Sequence, residues 1–470
     1  MVRGGRIWNV RFLMCAASLR VAALLALFQI GAPARPGAPA PPDTPNIVFI
    51  MADDLGYGDL GCYGQKVIRT PRLDQMADEG IRFTHCYAGS AVCAPSRSVL
   101  MTGRHTGHTT VRGNFGVGGV RGLGGANGRV PLRAEDVTVA EVLRTAGYAT
   151  GMGGKWGLGE PMTSGHPNAQ GFDDWFGFLN QRRAHNHYPS FVWHNRRKVP
   201  LVDNREGQEQ GYTHDLFTEF ALRFVRAHQE EKFFLYLPYC VPHAKYQFPP
   251  GAHGYESEDW TRDEKSHAAM VSRLDRDVGR LLDLLDELSL SSRTVVFFCS
   301  DNGAAERWEG RFNSSGALRG RKRDLTEGGL RTPMIVRWKG TIPAGRVSAE
   351  RWWFADVLPT CGHLAGVGGS LPREVDGINV EAALLGGALE AAERHFYWEF
   401  HERGFQQAML WKKWKAIRAG RGKAIRLYDL DQDPGEKKDL AAAHGVLVER
   451  FAALMESSRT ESRQWPVQAK

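Results

Sequence analysis

The sequence predicts an α/β/α sandwich with a large mixed, mostly parallel sheet, followed by a small C-terminal unit with a short antiparallel sheet and a helix. Three observations carry this. Two continuous apolar runs, Asn46–Ala52 and Thr294–Ser300, have strand length and no polar alternation, the pattern of strands buried on both faces. Each run ends in a pair of hard oxygen side chains, Asp53-Asp54 after the first and Asp301-Asn302 after the second. Between them an amphipathic helix is legible, and open α/β sheets bind ligands beyond the carboxyl ends of their strands, so the two pairs point to one site at one sheet edge.

Taken in order, the chain begins with Arg3, Arg6 and Arg11, an apolar run over 21–30 and small residues, which reads as a secretory leader over 1–34 with a Pro/Ala-rich spacer over 35–45. The run is too short to span a bilayer, so no stable membrane insertion is expected after cleavage, and the destination is secreted or periplasmic. A catalytic domain is expected over 46–390. Within it, residues 96–101 read as the first turns of a helix closed by Gly103, and the glycine-dense stretch 113–128 as a long loop on the side of the site. A third apolar run, 233–237, leads into a loop that carries His243. Met270, Val271, Leu274, Val278, Leu281, Leu282 and Leu285 recur at helical spacing and line one face. After Gly386-Gly387 the composition changes, and 391–470 reads as the small unit: aromatic strands at 395–400 and 409–417, a third around Leu427-Tyr428-Asp429-Leu430, and a final helix over 445–457.

Of 470 residues, 42% are hydrophobic and 24% charged, an ordinary globular composition. The formal charge of +8 is no polyanion signal: the leader holds Arg3, Arg6, Arg11 and Arg20, half of that excess, and no nucleic-acid recognition motif is present. Seven cysteines fall at no short metal or redox spacing and do not read as a disulfide scaffold.

Asp53, Asp54, Asp301 and Asn302 are ligands of the kind Ca²⁺ selects, with Mg²⁺ the alternative. Either pair alone would read as a helix cap. Together they read as a metal site. Residues 93–97, Cys-Ala-Pro-Ser-Arg, have a cysteine two positions before proline and four before arginine, continuing into Ser-Val-Leu-Met-Thr-Gly-Arg at 98–104. Asp-Asp-Leu-Gly-Tyr-Gly-Asp at 53–59 precedes them. Gly-Lys-Trp at 154–156, Pro242-His243, Ser-Asp-Asn-Gly at 300–303, Lys322 ahead of Glu-Gly-Gly-Leu-Arg at 327–331, and Leu-Tyr-Asp-Leu with Asp-Pro at 427–434 follow. In content and order these motifs resemble the formylglycine-dependent sulfatases of the alkaline phosphatase-like superfamily.

That resemblance implies that a formylglycine-generating enzyme oxidises Cys93 to Cα-formylglycine, which becomes both nucleophile and metal ligand beside Asp53, Asp54, Asp301 and Asn302. It further implies that Arg97 holds the aldehyde hydrate, that Lys155 and Lys322 bind sulfate oxygens, and that His243 protonates the leaving oxygen. An exported sulfatase points to a sulfated carbohydrate as substrate. One departure stands out: many sulfatases carry a histidine after Gly-Lys-Trp, and this chain has Gly157. His105, His108, His185 and His187 are candidates to replace it or to contact sulfate and sugar, together with Arg182 in the basic, aromatic segment 181–188. Two alternatives remain at this level, a phosphomonoester or phosphodiester hydrolase of the same superfamily and a non-catalytic glycan-binding relative; the Cys93 context favours sulfate.

Overall fold

Asn46–Ala52 forms strand β1 with every residue buried. Its side chains alternate between two cores: Ile47, Phe49 and Met51 belong to one, Val48, Ile50 and Ala52 to the other. A strand apolar on both faces needs a cover on each, and helices supply both. The computed structural model describes residues 44–120, 128–249, 251, 253–306, 308, 310–390 and 393–467. The leader read at 1–34, most of the spacer and positions 121–127 of the glycine-dense loop lie outside the described residues.

The further strands are β2 (Ile81–Tyr87), β3 (Ala149–Lys155), β4 (Asp174–Phe178), β5 (Phe191–His194), β6 (Arg197–Pro200), β7 (Phe233–Pro238), β8 (Thr294–Ser300), β9 (Arg331–Arg337), β10 (Arg346–Ser348) and β11 (Trp352–Trp353). They form one sheet in the order β10, β2, β9, β8, β1, β7, β3, β4, β5, β6, with β11 also on β2. The run β8, β1, β7, β3, β4 is parallel; β9 is antiparallel to both neighbours, as are β5 and β6 to theirs. Helices Cys93–Thr102, Val139–Thr145 and Val357–Leu364 contribute Val99, Leu143 and Leu358 to one core. Pro71–Asp78, Thr213–Ala227 and Arg262–Glu287 contribute Leu73, Phe217 and Leu274 to the other. The long helix starts at a capping box, the Thr261 hydroxyl accepting from the Glu264 amide and the Glu264 carboxylate from Thr261, and its apolar stripe is buried as the periodicity predicts.

The C-terminal strands β12 (His395–Phe400), β13 (Gln406–Trp411), β14 (Trp414–Arg418) and β15 (Ile425–Asp429) make an antiparallel sheet in that order. One face, with Tyr397, Met409 and Leu427, packs under helix Gly445–Ser457 through Phe451 and Met455; the other, with Phe396, Trp398 and Leu410, joins a core of the large sheet. The run expected as one strand over 409–417 is two strands, because Lys412 takes φ +54° and closes a tight hairpin between Trp411 and Trp414. The described residues form one compact unit.

Candidate active site

Parallel neighbours deliver their carboxyl ends to one edge. β1 and β8 are in register to their last residues, Ala52 opposite Ser300, so Asp53 and Asp301 leave the sheet side by side, the Asp301 amide donating to the Ala52 carbonyl at 3.0 Å. β3, two strands along, ends in Lys155, and β7, between them, leads into the loop that carries His243. β9 runs the other way, so the segment preceding it, with Lys322, lies at the same edge. Helix Cys93–Thr102 follows β2 and begins at Cys93 itself, three residues before the expected start, with Gly103 at φ +66° closing it. Pro95 sits in the first turn, where its missing N–H has no intrahelical partner to lose.

The resulting cluster is buried and dense in charge. Lys155 Nζ donates to Asp53 Oδ2 at 2.6 Å, and Lys322 Nζ to Asp54 Oδ2 at 2.7 Å. Arg97 donates from Nε and Nη2 to Asp301 Oδ2 at 3.1 and 2.8 Å, and from Nη1 to the Lys155 carbonyl at 2.8 Å. Cys93 Sγ lies 3.5 Å from Asp53 Oδ1. The Ser96 hydroxyl donates to the Asp301 carbonyl at 2.5 Å and so ties the first turn of the helix to the end of β8. Asp54 takes φ +66°, a conformation aspartate tolerates better than most residues, and its amide donates to Asp301 Oδ1 at 3.2 Å. Asn302 Nδ2 donates to Asp54 Oδ1 at 2.7 Å, which leaves Asn302 Oδ1 buried without a partner among the described residues.

Electrostatics follow from burial plus neighbours. Burial alone would raise Asp54, but Lys322, His243 and Lys155 outweigh it and hold the carboxyl well below the usual range. Asp301 goes the other way, pushed up to about 6 by burial and by Asp53 despite Arg97. Burial opposes the charge on Lys322 and Lys155, yet Asp54 and Asp53 respectively raise them above an ordinary lysine, so both stay cationic. Burial pushes the Cys93 thiol up to about 12. His243 is pushed down to about 3 by burial and Lys322. Its Nδ1 faces the Ala244 carbonyl, so Nε2 is the acceptor, 3.2 Å from Lys322 Nζ and 3.3 Å from Asp54 Oδ2.

Of the predicted site residues, Asp53, Asp54, Cys93, Arg97, Lys155, His243, Asp301, Asn302 and Lys322 come together. Ligand atoms of Asp53, Asp54, Cys93 and His243 lie within 4.8 Å of one another, and Asp301 and Asn302 join through Asp54. Convergent buried oxygens plus the unmatched Asn302 Oδ1 suit a hard divalent cation. The four candidate histidines separate. His185 reaches the cluster, its ring stacked on His243 with centroids 4.0 Å apart, and burial with the charges of His243 and Lys155 pushes it down to about 2. His187 is fully buried behind it, its Nε2 3.2 Å from the His243 carbonyl. His105 and His108 stack on each other at 4.2 Å and bond to Asp376 instead. The Gly107 amide donates to His105 Nδ1, so the neutral ring carries its proton on Nε2 and offers no lone pair for a metal there. The Arg182 side chain is exposed. Sequence reasoning missed Arg129 and Gln181, bonded to each other beside Gly157 at 2.8 Å across 52 positions, a separation no local signal bridges.

The sulfatase family model matches residues 45–367, and the C-terminal model of N-sulphoglucosamine sulphohydrolase matches 321–459. The chain is 34% identical to dog (Canis lupus familiaris) N-acetylgalactosamine-6-sulfatase over 77% of its own length and 70% of that protein's. It is also 34% identical to human arylsulfatase A, over 89% and 86%. The solved structure of Ps i-CgsB in complex with k-i-k-neocarrahexaose superimposes with a TM-score of 0.78 at 28% identity, covering 90% of this chain and 94% of that one. With these matches over an alkaline phosphatase-like fold, the chain belongs to the sulfatase family and is a hydrolase of sulfuric esters.

Proposed function

We propose that this chain removes sulfate from a sulfated carbohydrate, using Cys93 after its oxidation to formylglycine by a formylglycine-generating enzyme and a divalent cation held by Asp53, Asp54, Asp301, Asn302 and the converted Cys93. Ca²⁺ is the better match to this all-oxygen set, Mg²⁺ the alternative. The observation that carries the reading is the state of Cys93: at the head of a helix, against Asp53, with its thiol pushed up to about 12 by burial. Such a thiol stays protonated at neutral pH and is a poor nucleophile. An aldehyde hydrate at the same place would supply an oxygen nucleophile and an internal route to release sulfate, and the cation would add Lewis-acid stabilisation of the sulfate oxygens.

The remaining roles belong to side chains in place. Lys155 and Lys322, cationic and buried, hold the sulfate oxygens as charge develops. Arg97, braced by Asp301 and the Lys155 carbonyl, orients the group at position 93. Lys322 Nζ and His243 Nε2 share a hydrogen bond at 3.2 Å, so the pair holds a proton for the departing alkoxide. The carbohydrate assignment is supported by two relatives, one an N-acetylgalactosamine-6-sulfatase, the other bound to a neocarrahexaose. The leader over 1–34 would take the enzyme to the periplasm or outside the cell, with catalysis over 46–390 and the small C-terminal unit over 391–470. The test is desulfation of a panel of defined sulfated mono- and disaccharides alongside aryl phosphates. At least one sugar sulfate should be cleaved with a higher kcat/KM than any phosphate ester; a preference for phosphate would reject the assignment.

A further inference from the structure

The turn that follows β3 approaches the end of β4: the Trp156 and Gly157 amides donate to the carbonyls of Phe178 and Leu179 at 2.9 and 3.1 Å. This sets Gln181, just past β4, against Gly157. Gly157 takes φ +80°, and a Cβ built there would meet the Gln181 side chain, Nε2 included, at 2.7 Å. Glycine is favoured on both counts. The Gln181 amide therefore fills the space a side chain at 157 would use, two residues beyond Lys155.

Gln181 is fixed in direction, because its Oε1 accepts from Arg129 Nη1 at 2.8 Å. Both side chains are more than nine-tenths buried, and among the described residues Gln181 Nε2 and Arg129 Nε have no hydrogen-bond partner. Arg129 Nη1 also approaches the Asn114 carbonyl at 3.5 Å, and Asn114 Oδ1 accepts from the Ala94 amide at 3.4 Å, next to Cys93. The pair thus stands one residue away from the head of the catalytic helix. Its unmatched groups are all donors. A buried donor without a partner loses its hydration and gains nothing for it, and an acceptor placed between the two would recover that loss. Burial lowers Arg129 and Glu160 opposes that shift, but Glu160 Oε1 is 3.9 Å from Nε, an ion pair without a hydrogen bond, and accepts from Asn180 instead. Glu402, the other acid nearby, is occupied by Asn114 and by Arg323 Nε at 3.3 Å.

We propose that Arg129 and Gln181 form a subsite for a second anionic oxygen group of the substrate, a carboxylate or another sulfate on the same sugar or its neighbour, beside the sulfate that is cleaved. This rests on the sulfatase reading of Cys93 and makes the pair a selector of substrate. Gln181 Nε2 donates to the anion, Arg129 supplies the charge and holds Gln181 in orientation, and Arg182 extends the positive rim.

The test uses full-length protein with Cys93→Ala, which cannot be converted and so reports binding alone. Its affinity is measured by calorimetry for galactose 6-sulfate, galactose 2,6-disulfate and a glucuronate-containing disaccharide of N-acetylgalactosamine 6-sulfate. One of the two dianionic ligands should bind ~tenfold or more tightly than the monosulfate, and which one separates sulfate from carboxylate. Adding Gln181→Leu or Arg129→Leu should cut that advantage to about twofold, with Arg129→Lys keeping an intermediate preference; thermal unfolding of each variant reports folding. Equal affinity for all three ligands, or a preference that survives both leucine variants, overturns the proposal. The two readings fail differently. A converted wild-type enzyme that hydrolyses a sugar sulfate but shows no dianion preference in KM removes only the subsite, whereas no hydrolysis and no binding of any ligand removes the sulfatase reading as well.

Discussion

Glu399, where the two sheets meet, and Asp54, at the edge of the large sheet, are both buried carboxylates that face cations. At Glu399, Oε1 accepts from Arg112 Nη1 at 3.0 Å and His401 Nε2 at 2.9 Å, and Oε2 from Arg459 Nε and the Tyr397 hydroxyl, each at 3.1 Å. Four donors close the shell. Asp54 has Lys322 and Asn302, but beside it stand two more carboxylates, and Asn302 keeps an unmatched oxygen. Burial by itself raises both acids, yet the hydrogen bond from His401 and the charges of Arg112 and Arg459 hold Glu399 at about 2, and Lys322 and His243 hold Asp54 below the usual range. The difference is at Asp301, next to Asp54, which burial and Asp53 force up to about 6. A closed shell stabilises its own charge and the junction it bridges. An open one leaves acids and acceptors that only a ligand can satisfy.

The two regions should therefore break in opposite ways. Cys93→Ser should lose ~10³-fold or more in kcat, because an ordinary hydroxyl has no internal route to expel sulfate. Its denaturant midpoint should match wild type, since Cys93 forms no structural bond stronger than its contact with Asp53. Glu399→Ala should show the reverse: a stability loss of about 3–5 kcal/mol, from stranding Arg112 and Arg459 as buried cations, with kcat retained well below the unfolding temperature. The same residue gives a pH signature. Its folded pKa lies below the unfolded value, so its contribution is complete above about 4.5 and is lost as pH falls toward about 2. Wild type should lose stability across that window more steeply than Glu399→Gln, and chemical denaturation at several pH values checks this.

Lys322→Ala tests the open cluster from the cationic side. It strands Asp54 and removes the partner of His243 Nε2, so kcat should fall ~10²- to 10³-fold, with a larger defect for alkyl sugar sulfates than for an aryl sulfate whose leaving group needs less protonation. Chelation sharpens the comparison further. It should abolish turnover and lower stability by about 2.7 kcal/mol relative to enzyme in Ca²⁺ at a hundredfold excess over Kd, and Ca²⁺ should restore both. Glu399→Gln should show the same calcium increment as wild type, since four protein donors already occupy the Glu399 oxygens.

Much of the frame was legible because the central strands carry their signal locally. Asn46–Ala52 and Thr294–Ser300 are apolar on both faces, and their terminal acid and amide pairs mark the sheet edge. β3 was not legible: Ala-Thr-Gly-Met-Gly-Gly-Lys has three glycines and little strand propensity, and tertiary packing decides it. The helix start was read late because the residue before a proline is biased away from helix, yet Ala94 is held helical with its amide on Asn114. At the site, residues at strand ends followed from motif order. The sorting of the histidines did not: His105 and His108 are committed to Asp376, some 270 positions away, and only the fold places His185 on His243.

The central claim is that the cluster at the sheet edge is built around a converted Cys93. Protein co-expressed with a formylglycine-generating enzyme should be assayed on a sulfate ester, and the peptide containing Cys93 weighed by mass spectrometry from the same preparation. The specific activity should rise in proportion to the fraction of peptide whose cysteine thiol has become an aldehyde. A fully active preparation in which position 93 is entirely unmodified cysteine would contradict the claim.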